Sequence, residues 1–377
     1  MKTWQPQNHE NMSGPQTIAV MIGQLAPGGG SEKQLYKFLA YCDKSRWKPI
    51  VYVSGVLGSW EDSIRKLGIP VVLLRGGRLA KMWQLRSACI VHNTKCFFSW
   101  SSYTNGFGLA LKGLRVHCIG SFRNALFADL PKQHRWLWAW ISLAGVSTIV
   151  CNSRETKAQI ADRGGGRKRV LYVPNGVEVF AIDQVRTWRE HWRSRLGLRD
   201  DTILVLGLGR VAPQKNYARF IDVIAQVSQR LPVQAVIVGP DQGCLPDLKK
   251  QVAQLGLEGA IRFLGRVPNA HELISAADIL LLTSNHEGMP NAVLEAMAVG
   301  VPCVATCVNA IHDLVQHGST GFIAGHSVAE LSQYVALLAS DEELRHEMGC
   351  RARKAAERDY QPAQVARDLW NACEAMD

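Results

Sequence analysis

Short β-branched runs alternate with amphipathic segments along nearly the whole chain, and this alternation limits the folds open to it more than any other feature. A strand, a helix-length segment and a second strand make a βαβ unit, so parallel sheets covered by helices are expected. In the first half the strand-like runs fall at 18–23, 49–54, 71–74, 96–100, 116–121 and 148–152, which fits a six-stranded sheet. The pattern breaks at the turn signal Pro174-Asn175-Gly176 and passes through a very polar helical stretch, 184–195, that reads as a linker. It restarts with runs at 203–208, 233–239, 261–264, 279–283, 301–306 and 321–324, and from Ala329 onward it is helical. At 377 residues the chain exceeds one ordinary core and fits two. The expected fold class is therefore α/β, with two Rossmann-like, doubly wound parallel-sheet domains: a loose tail at 1–16, a first domain at 17–180 and a second beginning at 181.

Composition narrows the classes. With 47% hydrophobic and 20% charged residues the chain is expected to be a folded soluble protein. No apolar run approaches the ~20 residues of a membrane-spanning helix. The polar N-terminus lacks the apolar stretch of a secretory signal, so a cytoplasmic location is expected. The ten cysteines are scattered without a Cys-x-x-Cys spacing and read as reduced core thiols, with no metal site expected. The net charge of +11 is uneven: residues 1–180 hold 24 Lys and Arg against 9 Asp and Glu, whereas 181–377 hold 19 against 23. Eight of the eleven tryptophans also lie in the basic half. Basic and aromatic residues together suit an anionic membrane surface or a nucleic acid. Arg75, Arg78, Lys81, Trp83 and Arg86, and again Lys132, Arg135, Trp136, Trp138 and Trp140, could lay the first domain on such a membrane, peripheral to its inner face. The alternative is that Trp136 to Trp140 pack inside while the charges are solvated.

The most informative segment is Asn285-His286-Glu287-Gly288-Met289-Pro290-Asn291-Ala292-Val293-Leu294-Glu295-Ala296-Met297, which follows a strand and opens a helix. Gly288 and Pro290 form the turn and Asn291 is suited to cap, leaving free amides that can hold a diphosphate. Glu287 and Glu295 can converge on one ligand as acceptors for its hydroxyls; the plainer reading makes them solvated first-turn charges that favour the helix dipole. A second segment, Leu206 to Asn216, follows the first strand of the second domain. It places Gly209, Arg210 and Lys215 at the carboxyl end of a sheet, where α/β folds bind ligands and where two cations could neutralise a leaving diphosphate. The same residues also read as Gly-x-Gly-x-x-Ala from Gly207 to Ala212, a weak dinucleotide fingerprint with Asp241 as a ribose acid. In the first domain, Gln24 to Gly30 links a strand to a helix whose Ser31 and Gln34 have capping-box spacing; a tight turn explains it equally.

Together these residues resemble the retaining GT-B glycosyltransferases of family 4. The resemblance rests on Glu287-x7-Glu295, Gly209-Arg210-x4-Lys215, the loop Gly28-Gly29-Gly30-Ser31-Glu32 and Val173-Pro174-Asn175-Gly176-Val177, in that family's order, and it covers nearly the whole chain from Ile18. It implies that Arg210 and Lys215 bind donor phosphates, Glu295 the nucleotide ribose and Glu287 the transferred sugar. It further implies that the backbone of Gly288, Met289, Pro290 and Asn291 helps hold the donor, that Gly29 and Gly30 approach it, and that Gly239, Arg266 and Val267 surround the base. Donor binding is then assigned to 181–358, acceptor binding to the first domain, and a helix at 359–377 returns to the first domain. The nucleotide sugar is the substrate, and no cofactor or metal is implied; no Asp-x-Asp occurs. The acceptor is expected to be a saccharide or lipid-linked saccharide of cell-surface polysaccharide or glycolipid synthesis.

One departure is plain. Where family members carry a cleft histidine after the strand 116–121, this chain has Arg123 and Asn124. Arg123 cannot act as a base near neutral pH but can bind an anion. His117 and His286 are further candidates, although a histidine within a strand is more often part of the core. A glycosyltransferase accounts for the glutamates, the cations and the basic first domain together. An NAD-dependent oxidoreductase accounts for the Gly207 loop alone, and nucleic-acid binding, which is not expected, for the charge alone. A sugar-nucleotide epimerase or hydrolase on the same fold is the nearest alternative.

Overall fold

A computed structural model describes residues 14–26, 30–127, 130–131, 133–162 and 168–374. Seven parallel strands make the first sheet: β1 (Gln16–Ile22), β2 (Trp47–Val53), β3 (Val71–Leu73), β4 (Cys96–Ser99), β5 (His117–Phe122), β6 (Thr148–Cys151) and β7 (Arg169–Tyr172). Six make the second: β8 (Ile203–Leu208), β9 (Val233–Val238), β10 (Ile261–Gly265), β11 (Ile279–Leu282), β12 (Cys303–Thr306) and β13 (Gly321–Ala324). The orders are β3-β2-β1-β4-β5-β6-β7 and β10-β9-β8-β11-β12-β13. Both reverse direction beside their first strand, between β1 and β4 and between β8 and β11, and such a switch point opens a crevice at the strands' carboxyl ends. Apolar clusters cover both faces of each sheet, as buried parallel strands require. Among the described residues no helix is long and apolar enough to cross a membrane.

Three expectations need correction. The first sheet has seven strands, not six. The extra one, β7, opens on Arg169 just after Arg167 and Lys168, and it lies at the sheet edge with its side chains only partly covered, so its apolar signal is weak. The proposed tail ends sooner than expected, because Gln16 already pairs with Trp47 in β1; residues 1–13 lie outside the described set. The polar stretch read as a linker is the helix Ile182–Arg195, which is docked on the second domain. Its Trp192 joins the second domain's core. Its Arg189 donates to the carbonyls of Ser275, Ala276 and Ala277 at 3.0–3.2 Å and to Asp278 at 2.6 Å. Arg193 reaches the other oxygen of Asp278 at 3.2 Å, and the Leu204 amide donates to that oxygen at 2.7 Å. The arginines that make the stretch look solvated in sequence serve carbonyls left unpaired past a short helix.

Asp278 is nearly buried and answers two guanidinium groups. Asp278→Ala is expected to destabilise the second domain by about 3 kcal/mol, because it leaves the buried Arg193 and the half-buried Arg189 without their anion. Urea denaturation checks this, and a loss below about 1 kcal/mol would show the pair to be replaceable by water.

The chain crosses between the sheets twice. It leaves the first after β7, and the helix Glu342–Asp359 packs Met348, Ala352 and Ala356 into the second domain. The helix Pro362–Glu374 then returns, burying Val365, Leu369 and Trp370 against the first sheet. Trp370 stacks on Phe38 with ring centroids 4.2 Å apart, and its indole nitrogen donates to the Phe38 carbonyl. The two crossings touch: the Val177 amide donates to the Tyr360 carbonyl at 2.8 Å.

Candidate functional site

A cleft of about 400 Å³ opens where the carboxyl ends of the two sheets face each other. On the second-domain side, the loops after β8 and β9 press together. A Cβ at Gly239, whose φ is +152°, would lie 1.8 Å from the Gly209 carbonyl oxygen, so only glycine fits there. Arg210 follows at the cleft wall, solvent-exposed, with its guanidinium 3.3 Å from Gln214 Oε1.

The β8 loop and the loop after β11 are laced into one body. The Asn285 amide donates to the Gln214 carbonyl, and Thr283 Oγ1 donates to the carbonyls of Lys215 and Asn216. This lacing sets Lys215 Nζ 2.6 Å from Glu287 Oε1, with both side chains largely buried. Ser284 Oγ donates to the same carboxylate oxygen at 2.7 Å. A buried ammonium and carboxylate so supported form a fixed polar pair that a phosphate entering the cleft can share. The helix Asn291–Ala298 starts beside them, its first amides unpaired within the helix. The expected cap is corrected: Pro290, in an extended conformation, is the cap residue, and Asn291 is the first helical one.

The Asn291 side chain serves another purpose. Its Oδ1 accepts from Asn175 Nδ2 at 2.9 Å and from Gln34 Nε2 at 3.1 Å, both on the first-domain side. Gln34 also exchanges hydrogen bonds with Gly176 in both directions, which corrects the capping-box reading of Ser31 and Gln34. Lys33 Nζ lies 2.5 Å from Glu295 Oε1, so this glutamate too has an ammonium partner, contributed by the opposite domain. Gly288 packs against the Arg123 and Asn124 backbone so closely that a Cβ there would lie 2.1 Å from the Arg123 carbonyl oxygen.

Arg123 lines the cleft with Asn124, Asn152 and Asn175. Its guanidinium carbon sits 3.8 Å from the Trp100 ring centroid, and its Nη1 donates to Asn175 Oδ1 at 3.3 Å. Burial lowers its pKa to about 9, which leaves it cationic at neutral pH. Among the described residues its shielded Nε and Nη2 have no hydrogen-bond partner, so they are available to an anion.

The structure thus brings Gly30, Arg123, Asn124, Gly209, Arg210, Lys215, Gly239, Arg266, Val267, Glu287, Gly288, Met289, Asn291 and Glu295 to one cleft. Gly29 lies outside the described residues. Pro290 caps the helix without lining the cleft. His117 is corrected as a cleft candidate: it begins β5, paired with Cys96, a strand's length of about 16 Å from the carboxyl end at Phe122. His286 is exposed and does not line the cleft. Asp241, the acid of the dinucleotide reading, accepts the amides of Gly243, Cys244 and Leu245 as a local turn and does not line the cleft either. Lys33, Trp60, Asn152 and Asn175 were missed as cleft residues; only the Pro-Asn-Gly turn signalled one of them.

Residues 28–179 match the family described as Glycosyltransferase Family 4, and residues 189–355 the family described as Glycosyl transferases group 1. N-acetyl-alpha-D-glucosaminyl L-malate synthase of Bacillus anthracis is 29% identical over 175 residues, 46% of this chain and 45% of that protein. Alpha-D-kanosaminyltransferase of Streptomyces kanamyceticus is 31% identical over 165 residues, 42% of each. An Escherichia coli UDP-Gal:alpha-D-GlcNAc-diphosphoundecaprenol alpha-1,3-galactosyltransferase is 24% identical over 213 residues, 55% of each. The chain spans about half the length of the curated relatives it matches. The structure of Anabaena HepE with UDP-glucose superposes with a TM-score of 0.83 at 21% identity, over 96% of this chain and 100% of that one. For WaaG, a glycosyltransferase of lipopolysaccharide biosynthesis, the TM-score is 0.75 at 15% identity, over 95% and 100%. At these identities the structural likeness shows a shared fold.

Proposed function

The chain belongs to the GT-B glycosyltransferases of the family 4 type, and from that premise we propose that it moves a sugar from a nucleotide-diphosphate sugar to a saccharide or lipid-linked saccharide acceptor, with retention and without a metal ion. The observation that carries this reading is the convergence of Arg210, Lys215, Glu287, Glu295 and a helix amino end on one cleft between the sheets. Breaking the bond between the anomeric carbon and the diphosphate concentrates negative charge on the departing phosphate. Arg210, Lys215 and the helix amides are fixed dipoles and charges suited to that oxygen, and they need no rearrangement during the reaction. The acceptor oxygen bonds to the anomeric carbon on the face that the phosphate leaves, and its proton passes to the departing phosphate oxygen.

Glu295 would accept the ribose hydroxyls, which requires Lys33 to give up its contact, and Glu287 would orient the sugar while holding Lys215. The two open donors of Arg123 suit an anionic group on the acceptor or the donor. Relatives named for lipopolysaccharide core biosynthesis and for a diphosphoundecaprenol-linked acceptor support a place in cell-surface polysaccharide or glycolipid synthesis.

Saturation-transfer NMR with UDP, GDP, ADP and TDP sugars and NAD, in excess EDTA, tests the reading. One sugar nucleotide is expected to bind, and Glu295→Ala to weaken it about 10- to 100-fold through loss of charged hydrogen bonds. Binding of NAD alone, or equal binding by the variant, would remove the basis for the donor site. The anomeric coupling of the product tests retention, and donor consumption without transfer would favour hydrolysis.

A further inference from the structure

A second cavity, of about 350 Å³, lies in the first domain at the carboxyl ends of β1, β2 and β4, where Gly23, Ser54 and Ser102 line it. Its sides are the helices Arg78–Val91 and Arg135–Ala144 and the 3-10 helix Asn105–Leu111. Met82, Phe107, Leu109, Leu130 and Ile141 make it apolar. Arg78 and Lys81 line it as well: the Arg78 guanidinium lies 4.0 Å from the Trp138 ring centroid, and Lys81 donates to the Ser54 carbonyl. Apolar walls with two cations match an amphiphile that has an anionic head and an apolar chain.

The helices beside this cavity are themselves apolar on the outside. Leu79 is 83% exposed, Trp136 74%, Trp83 69% and Trp140 64%. Only Trp138 of the 136–140 cluster turns inward, so the reading that packs all three tryptophans inside does not hold. Large apolar groups grouped around a cavity mark a contact surface, and tryptophans with arginine and lysine suit the boundary of an anionic bilayer. The cavity also neighbours the cleft. Arg123, a wall of the cleft, rests on Trp100, and Ser102, two residues further on, lines the cavity.

We propose that this cavity receives the apolar chain of a lipid-phosphate-linked acceptor, with Arg78 and Lys81 holding the phosphate that joins chain to saccharide. The proposal rests on the transferase reading and narrows its acceptor to an amphiphile presented from a membrane. The exposed tryptophans would seat the domain at the bilayer boundary, the chain would enter between the two helices, and the saccharide would extend past Arg123 toward the donor.

The probe is n-dodecyl phosphate below its micellar concentration, titrated calorimetrically into the full chain alongside inorganic phosphate. Dodecyl phosphate is expected to bind at least about tenfold more tightly than inorganic phosphate, since each buried methylene adds to affinity. Leu109→Trp, which fills the cavity, and Arg78→Glu, an exposed change that keeps the fold even where the first does not, should each weaken it about tenfold or more, while sugar-nucleotide binding in the cleft stays unchanged. Equal binding of inorganic phosphate, or unchanged dodecyl phosphate binding in the Arg78→Glu variant, overturns the proposal. Failure of the wild type to bind any sugar nucleotide overturns the transferase reading instead, and the two failures are read in separate titrations.

Discussion

Lys215→Met is expected to lower kcat by about 10²- to 10³-fold, the loss that follows removal of one preorganised charge from a site where negative charge develops. The side chain reaches Glu287 at 2.6 Å from within a largely buried pocket, so the substitution has two consequences. On the proposed reaction it withdraws a cation from the departing diphosphate, and it strands a buried carboxylate, which costs stability. The double variant Lys215→Met/Glu287→Leu separates them. With both charges gone the buried pair is replaced by apolar groups, and thermal stability should recover toward the wild type. Activity should not recover, because on the proposed reaction the diphosphate still lacks its cation and the sugar now lacks Glu287 as well. Single-turnover kinetics and a melting curve on the three proteins read both quantities; recovery of activity in the double variant would reduce Lys215 to a structural partner of Glu287.

The second large effect is expected from one methyl group. In Gly288→Ala the new Cβ would lie 2.1 Å from the Arg123 carbonyl oxygen and 2.8 Å from the Asn124 Cα, both backbone atoms of the other domain with little freedom to move aside. The two domains would have to separate locally, drawing the Glu287 loop from the first-domain wall. A displacement near 1 Å at a reacting centre can lower the rate about 10²-fold, and that is the expected loss in kcat/KM. The melting temperature should change little, because neither domain's own core is touched. Small-angle scattering should report a larger radius of gyration for the variant. Activity equal to the wild type would mean that the contact with Arg123 plays no part in turnover.

How much of this was legible in the sequence depended on how local each signal was. The βαβ alternation is a property of neighbouring residues, and it revealed two parallel-sheet domains and all strands but β7, whose basic, half-covered edge position dilutes the apolar run. The polar helix Ile182–Arg195 looked like a linker because the partners of Arg189, and those that Arg193 shares with it, lie more than eighty residues away, at 275–278. The cleft shows the same division. Arg210, Lys215, Glu287 and Glu295 stood out because each sits in a compact motif at a strand-to-helix turn. Lys33 did not, and Gln34 and Asn175 read only as a cap and a turn, since their place in the cleft arises only when Lys33 meets Glu295 and when Gln34 and Asn175 meet Asn291 across the domains. His117 erred in the other direction: its strand was identified correctly, but its place at the strand's amino end puts it on the side away from the cleft.

The paired crossings, joined by the hydrogen bond from Val177 to Tyr360, bear on how such a molecule can move. A single tether would let one domain pivot, twist and slide against the other. Two strands of chain running side by side and tied to each other suppress twist and slide while leaving rotation about their common line. Closure along that one coordinate would return Glu287 and Glu295 to the same places opposite Arg123 and Lys33.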